Sequence, residues 1–216
     1  MKRLSLLALL ASCLLPSLLN GCGSDIDTVK KSFWANDKTV TYGTAFSAAF
    51  GNGSWSEVQA GKEEKLVQFT GTITPGLHEY AVGKLNTSET RIVFSLACNY
   101  LAKLIKTGEA ASDKGITFNI RDYPINKSGM ILYDIMGDYT ESKDNAGKIE
   151  TLINFYRQRY WETGSTVLFY FRVTARGKVI RVMKASNPHW DRDMMYENKP
   201  ENILKMVFDY TKNKSR

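Results

Sequence analysis

Apolar and polar positions follow two rhythms along this chain, and the switches between them mark its expected elements. Phe46, Ala49 and Phe50 recur at i, i+3 and i+4 within Gly43–Phe50 before Gly51-Asn52-Gly53, which predicts a short amphipathic helix with a glycine stop. From Lys65 to Thr74 the period falls to two. Val67, Phe69, Gly71 and Ile73 alternate with Gln68, Thr70 and Thr72, the mark of a half-buried strand, with Trp55 to Gln59 a strand before it and Pro75-Gly76 its end. Thr28 to Trp34 fits either a first strand or a short helix, followed by a turn at Asn36-Asp37.

Helical spacing returns from Arg91 to Ile105, where Phe94, Cys98, Leu101 and Ile105 form one stripe, Ala97 and Leu104 widen it, and Gly108 stands at the stop position. Gly115 to Asp122 and Gly129 to Asp138 read as strands around a turn from Pro124 to Ser128. Ala146 to Thr163 predicts the clearest helix, with Ile149, Leu152, Ile153, Tyr156 and Tyr160 on its apolar face. Asp144 or Asn145 can cap its start and Gly164 can close its end. A hairpin follows, Thr166 to Thr174 and Val179 to Met183 around Ala175-Arg176-Gly177-Lys178. Pro200 and Glu201 open a terminal helix whose Ile203, Leu204, Val207 and Phe208 share a face. Helices and hairpins without regular βαβ alternation predict the α+β class, an antiparallel sheet with helices packed on one face, in a single domain over residues 28–216. The short helix and strand near residue 45 suggest a degenerate second copy over residues 146–183.

The first residues follow neither rhythm. Lys2 and Arg3 precede an apolar run from Leu4 to Leu19, the charged and hydrophobic regions of an export signal, too short and too close to Pro16 for a membrane span. Leu19-Asn20-Gly21-Cys22 then resembles the lipobox of bacterial lipoproteins, with an aliphatic and a small residue at the third and first positions before an obligatory Cys. The resemblance implies a signal peptide over residues 1–21, a diacylglyceryl thioether on Cys22, cleavage before it, and a further acyl chain such as palmitate on the freed amine. Only a thiol is nucleophilic enough near neutral pH for that thioether, and two or three chains hold a protein firmly to a bilayer. Residues 22–27 then form a short polar leader. In a Gram-negative host, Gly23 rather than Asp after the Cys is similar to the pattern of lipoproteins sent to the periplasmic face of the outer membrane.

Gly43-Thr44-Ala45-Phe46, then Trp55, then Val67-Gln68-Phe69-Thr70-Gly71, with a closing hairpin from Val167 to Val182, is similar to a pattern in small envelope lipoproteins of uncharacterised function. The resemblance implies a location and no activity.

Composition narrows the chemistry. The 216 residues hold three Cys and two His, which excludes a disulfide framework, Cys/His zinc fingers and haem attachment. Loss of residues 1–21 removes Lys2 and Arg3 and no acid, leaving 27 basic and 22 acidic groups, scattered rather than clustered as nucleic-acid binding requires; no nucleic-acid partner is expected. Cys98, on an apolar stripe, reads as a buried packing residue. His189 with Asp191 and Asp193 is the best metal or acid–base candidate, although it follows an Asn187-Pro188 turn and Trp190 can tuck into the core; His78 is remote from it in sequence. Asp134, Asp138, Glu141 and Asp144 lack the spacing of a calcium loop. Tyr156, Arg157, Arg159, Tyr160 and Trp161 combine aromatic and guanidinium groups as carbohydrate or anion sites do, on a helix face that also reads as packing.

There is no G-x-S-x-G elbow, S-x-x-K or glycine-rich phosphate loop. The expectation is therefore a lipid-anchored, non-catalytic binding or assembly domain without cofactor or metal, whose partners are the membrane, through Cys22, and an envelope protein or cell-wall component. Its rival is a small envelope hydrolase or metal-dependent enzyme built on His189, Asp191 and Asp193.

Overall fold

A computed structural model describes residues 24–34, 38–61, 64–109, 112–113, 115–174, 180–190 and 200–215. Cys22, the signal region, the Asn36-Asp37 and Ala175–Lys178 turns, and Asp191 and Asp193 lie outside them. The described chain runs α1 (Asp25–Lys31), α2 (Tyr42–Ala49), β1 (Phe50–Gln59), β2 (Lys65–Ile73), α3 (Pro75–Asn86), α4 (Thr90–Thr107), β3 (Ser112–Asp113), β4 (Ile116–Thr117), α5 (Tyr133–Glu141), α6 (Ala146–Tyr160), β5 (Thr166–Val173), β6 (Ile180–Ser186) and α7 (Pro200–Lys214). Asp25–Asp27, expected in the leader, already form the first turn of α1, because the Ser24 side chain accepts the Asp27 N–H and caps it.

Strands pair antiparallel in the order β1-β2-β5-β6, which makes this an α+β fold. The register sets Val67 against Phe171, Phe69 against Phe169 and Gly71 against Val167. Directly paired residues share a sheet face, so these side chains converge on one side and are buried there. Gln68, Thr70 and Tyr170 take the other side and are half-buried. Helices cover the first face. Phe46 of α2 sits within 4.7 Å of Phe69, 4.8 Å of Phe169 and 5.4 Å of Trp55, ring centre to ring centre. The G-x-A-F, Trp and V-x-F-x-G residues thus form one aromatic cluster, and Gly71 is part of its fit: a Cβ there would meet the Phe69 ring at 2.8 Å. The order helix–strand–strand–helix occurs twice, in α2-β1-β2-α3 and α6-β5-β6-α7.

Three expectations are corrected. Gly51-Asn52-Gly53 does not end the ordered run; it is a bulge inside β1, with Asn52 at φ 50° and the register slipping between Gly51 and Ser54. Pro75-Gly76 starts α3 instead of a turn. The Thr74 side chain caps Leu77, and Pro75 occupies the first helical position, where its missing N–H costs nothing. The strands expected over residues 115–122 and 129–138 reduce to the two-residue β4, a 3₁₀ turn over Ile120–Asp122, and α5. The second run satisfies its own backbone as a helix instead of pairing, and the Ile125–Ile131 bridge is what remains of the expected hairpin. The helix α6 starts at Ala146 without a side-chain cap, Asn145 donating instead to the Tyr139 carbonyl, and it stops at Tyr160, three residues earlier than Thr163.

Candidate functional site

His189 sits at the end of a tight turn. Asn187, almost fully buried, builds that turn: its amide donates to Ser165 Oγ at 2.8 Å and to the Thr166 carbonyl at 3.0 Å, while its Oδ1 accepts the His189 N–H at 2.8 Å. Trp190 closes it by donating from Nε1 to the Tyr160 carbonyl at 2.8 Å and packing edge-on against Trp161, 5.2 Å away. Lys103, from α4, donates to the Pro188 carbonyl at 3.0 Å.

The imidazole is thereby fixed between α4 and the end of α6. Its Nε2 lies 2.9 Å from Glu162 Oε2 and its Nδ1 3.2 Å from Tyr100 Oη. Arg159 donates to both Glu162 oxygens, at 2.9 and 3.0 Å, one turn back along the chain. Burial of the ring, and then the positive Arg159, push the His189 pKa down, against the pull of Glu162. The neutral ring has one tautomer that serves both neighbours: Nε2–H donates to the carboxylate and Nδ1 accepts the phenol proton. Sequence reading found His189 but not these partners, because Glu162 is 27 residues away and Tyr100 is 89. Glu162 and Arg159 carried one local signal, their i,i+3 spacing at the end of a helix.

Hydroxyl, imidazole, carboxylate and guanidinium in line can hold or pass a proton. They are also deep. Tyr100 is 1% exposed and the His189 side chain 11%, and neither lines the cleft of about 420 Å³ between α3, the end of α6 and the start of α7. That cleft is walled by Tyr80, Lys84, Trp161, Ile203, Lys205 and Met206.

The remaining candidates separate. His78 Nδ1–H donates to the Trp161 carbonyl at 2.8 Å, and its Nε2 faces the Gln158 amide at 3.1 Å, on α3 and away from His189. Tyr156 and Tyr160 are buried, as the helix periodicity indicated, and so is Trp161, just past the helix end. Arg157 spans from Asn154 to the Leu85 carbonyl while Arg159 turns to Glu162, so the two guanidinium groups do not form one site. Desolvation lowers the Arg157 pKa, and its buried Nε has no partner among the described residues. Cys98 is fully buried, its thiol pushed up to about 12 by desolvation. Asp134, Asp138 and Asp144 are exposed along α5 and the turn after it, and Glu141 pairs with Arg91. Among the described residues no three His, Cys, Asp or Glu side chains gather as a metal site requires, and no helix is long and apolar enough to cross a membrane.

No protein-family model matches the chain, and comparison with curated proteins and with solved structures finds no match.

Proposed function

We propose that this protein is a bacterial envelope lipoprotein, acylated on Cys22, whose folded part is a non-catalytic binding or assembly domain. The observation that carries this reading is the run Leu19-Asn20-Gly21-Cys22 placed directly after a basic and then apolar leader. The start of the fold accords with it. Ser24 already caps α1, so only Gly23 stands between Cys22 and the capping residue of the first helix, and at 3.3–3.6 Å per residue the body begins within about 10 Å of the acylated sulfur. Lys30 and Lys31, exposed in the last turn of α1, add headgroup attraction of about 1 kcal/mol each where they approach an anionic surface.

The binding reading is favoured over the hydrolase by the state of His189. Both its ring nitrogens are engaged and the hydroxyl beside it is enclosed by α4 and α6, whereas a working base needs a reachable proton on a substrate.

Intact-mass analysis of the native product tests the anchor: the expected chain starts at Cys22 and carries a diacylglyceryl group and an added acyl chain, and Cys22→Ser accumulates as an uncleaved precursor. A native product with unmodified Cys22, or one that keeps residues 1–21, overturns the reading. For the domain, His189→Ala is expected to retain whatever envelope component the wild-type protein captures; a hydrolytic activity lost in that variant alone would establish the enzyme instead.

A further inference from the structure

Seven large hydrophobic side chains are prominently exposed among the described residues, and four of them fall within six positions: Met130, Leu132, Tyr133 and Ile135. Met130 is 61%, Tyr133 66% and Ile135 48% exposed. They belong to α5 and the loop that leads into it, an element that buries no side chain of its own. What holds α5 in place is Met136, packed against the core from its middle, and its far end, where Tyr139 stacks on Phe94 at 5.5 Å and donates to the Asp122 carbonyl, and Glu141 pairs with Arg91. Ile131 between them is buried, but Met130, Leu132, Tyr133 and Ile135 themselves add little to this chain's core. Contiguous exposed apolar surface of that kind marks a contact.

Charge is distributed unevenly along the same surface. The loop end lies beside the C-terminal turn of α4, Gly129 being close to Ala102 and the Lys106 side chain, and it presents the exposed Lys106 and Lys127. The helix end carries the exposed Asp138, in no ion pair among the described residues, beside the Arg91–Glu141 pair and with no basic residue in α5 itself, while Asp134 lies within the apolar stretch between Tyr133 and Ile135. Just past it Lys143 and Asp144 offset one another. Measured along α4 from Lys106 to Arg91, the strip is about 22 Å long at 1.5 Å per residue. Basic at one end, mostly apolar in the middle and acidic at the other through Asp138, it is complementary to itself when rotated by a half turn.

We propose that the protein pairs with a second copy of itself through this strip, about a twofold axis near Tyr133, so that the apolar centres of the two copies cover each other and Lys127 of each copy meets Asp138 of the other. The contact needs neither the His189 network nor the lipid anchor. Its area is small, so the pair is a weak one that exchanges with monomer.

Sedimentation of the purified full chain in detergent, at concentrations up to roughly 0.1 mM, reads the pairing directly. The expected result is a reversible dimer. Tyr133→Glu is expected to abolish it without lowering the thermal midpoint, since that side chain is mostly exposed. Lys127→Glu and Asp138→Lys are each expected to weaken it roughly tenfold, and the double variant Lys127→Glu/Asp138→Lys to recover it, because the swap recreates both cross-copy pairs. A chain that stays monomeric throughout overturns the proposal, as does a dimer indifferent to Tyr133→Glu. A dimer that Tyr133→Glu dissociates but the charge swap does not restore overturns the twofold arrangement.

Discussion

His189 and Glu162 meet at 2.9 Å, an imidazole donating to a carboxylate that Arg159 already holds from its other side. Folding lowers the pKa of this ring, chiefly by burying it, below the value near 6.5 at which the same histidine titrates in the unfolded chain. As pH falls below about 6.5 the unfolded state takes up a proton that the folded state resists, so this residue's contribution to stability is present above that pH and is lost toward the lower folded pKa. Urea unfolding at a series of pH values is expected to show the midpoint falling on the acid side, with a smaller fall in His189→Gln. Equal pH dependence in the two proteins would show that the ring does not report on folding.

The Phe46 ring stands edge-on to Phe69 and Phe169 at the centre of the helix–sheet contact. Phe46→Ala removes a fully buried side chain that several other rings surround, and a loss of about 3–5 kcal/mol is expected, read as a lower denaturant midpoint with an unchanged slope. A loss below about 1 kcal/mol would mean that the cluster repacks freely.

Gly76, in the first turn of α3, lies so close to α7 that a Cβ would come within 2.5 Å of Tyr210 Oη. Gly76→Ala is expected to cost about 1–3 kcal/mol despite the better helix propensity of alanine. Adding Tyr210→Phe, which removes the obstructing oxygen, should return most of it; a double variant no more stable than the single one would place the strain elsewhere.

Cys98 keeps its proton at any physiological pH because burial has pushed its pKa to about 12. A water-soluble thiol reagent is expected to leave it untouched in the native protein and to modify it at the rate of global unfolding. Rapid native labelling would show that α4 opens locally.

Short-range pattern carried much of this fold. The period-two run of β2 and the stripes of α2, α4, α6 and α7 were legible because each such element buries one face and repeats it over several residues. α3 was not, since its buried face amounts to Leu77 and Ala81, and the Thr-Pro-Gly at its start reads equally well as a turn. Residues 129–138 misled for a related reason: only Ile131 is buried and Met136 partly so, while Met130, Leu132, Tyr133 and Ile135 look toward solvent, so no continuous buried face sets a period. Of the candidate site, His189 stood out as one of two histidines, while Tyr100 and Glu162 belong to helix α4 and the end of α6, and only the tertiary packing of those elements brings them to the ring.

The seam at the middle of the sheet joins distant parts of the chain: Val67 in β2 finds Phe171 in β5 roughly a hundred residues later. Until residues beyond Thr166 are available, one side of β2 has no neighbour and its Val67, Phe69 and Ile73 have only half a shelter. A nascent or truncated chain ending before that point presents a sticky border to other chains, so for this architecture the hazard of clumping is greatest in incomplete products and ends when the second hairpin docks.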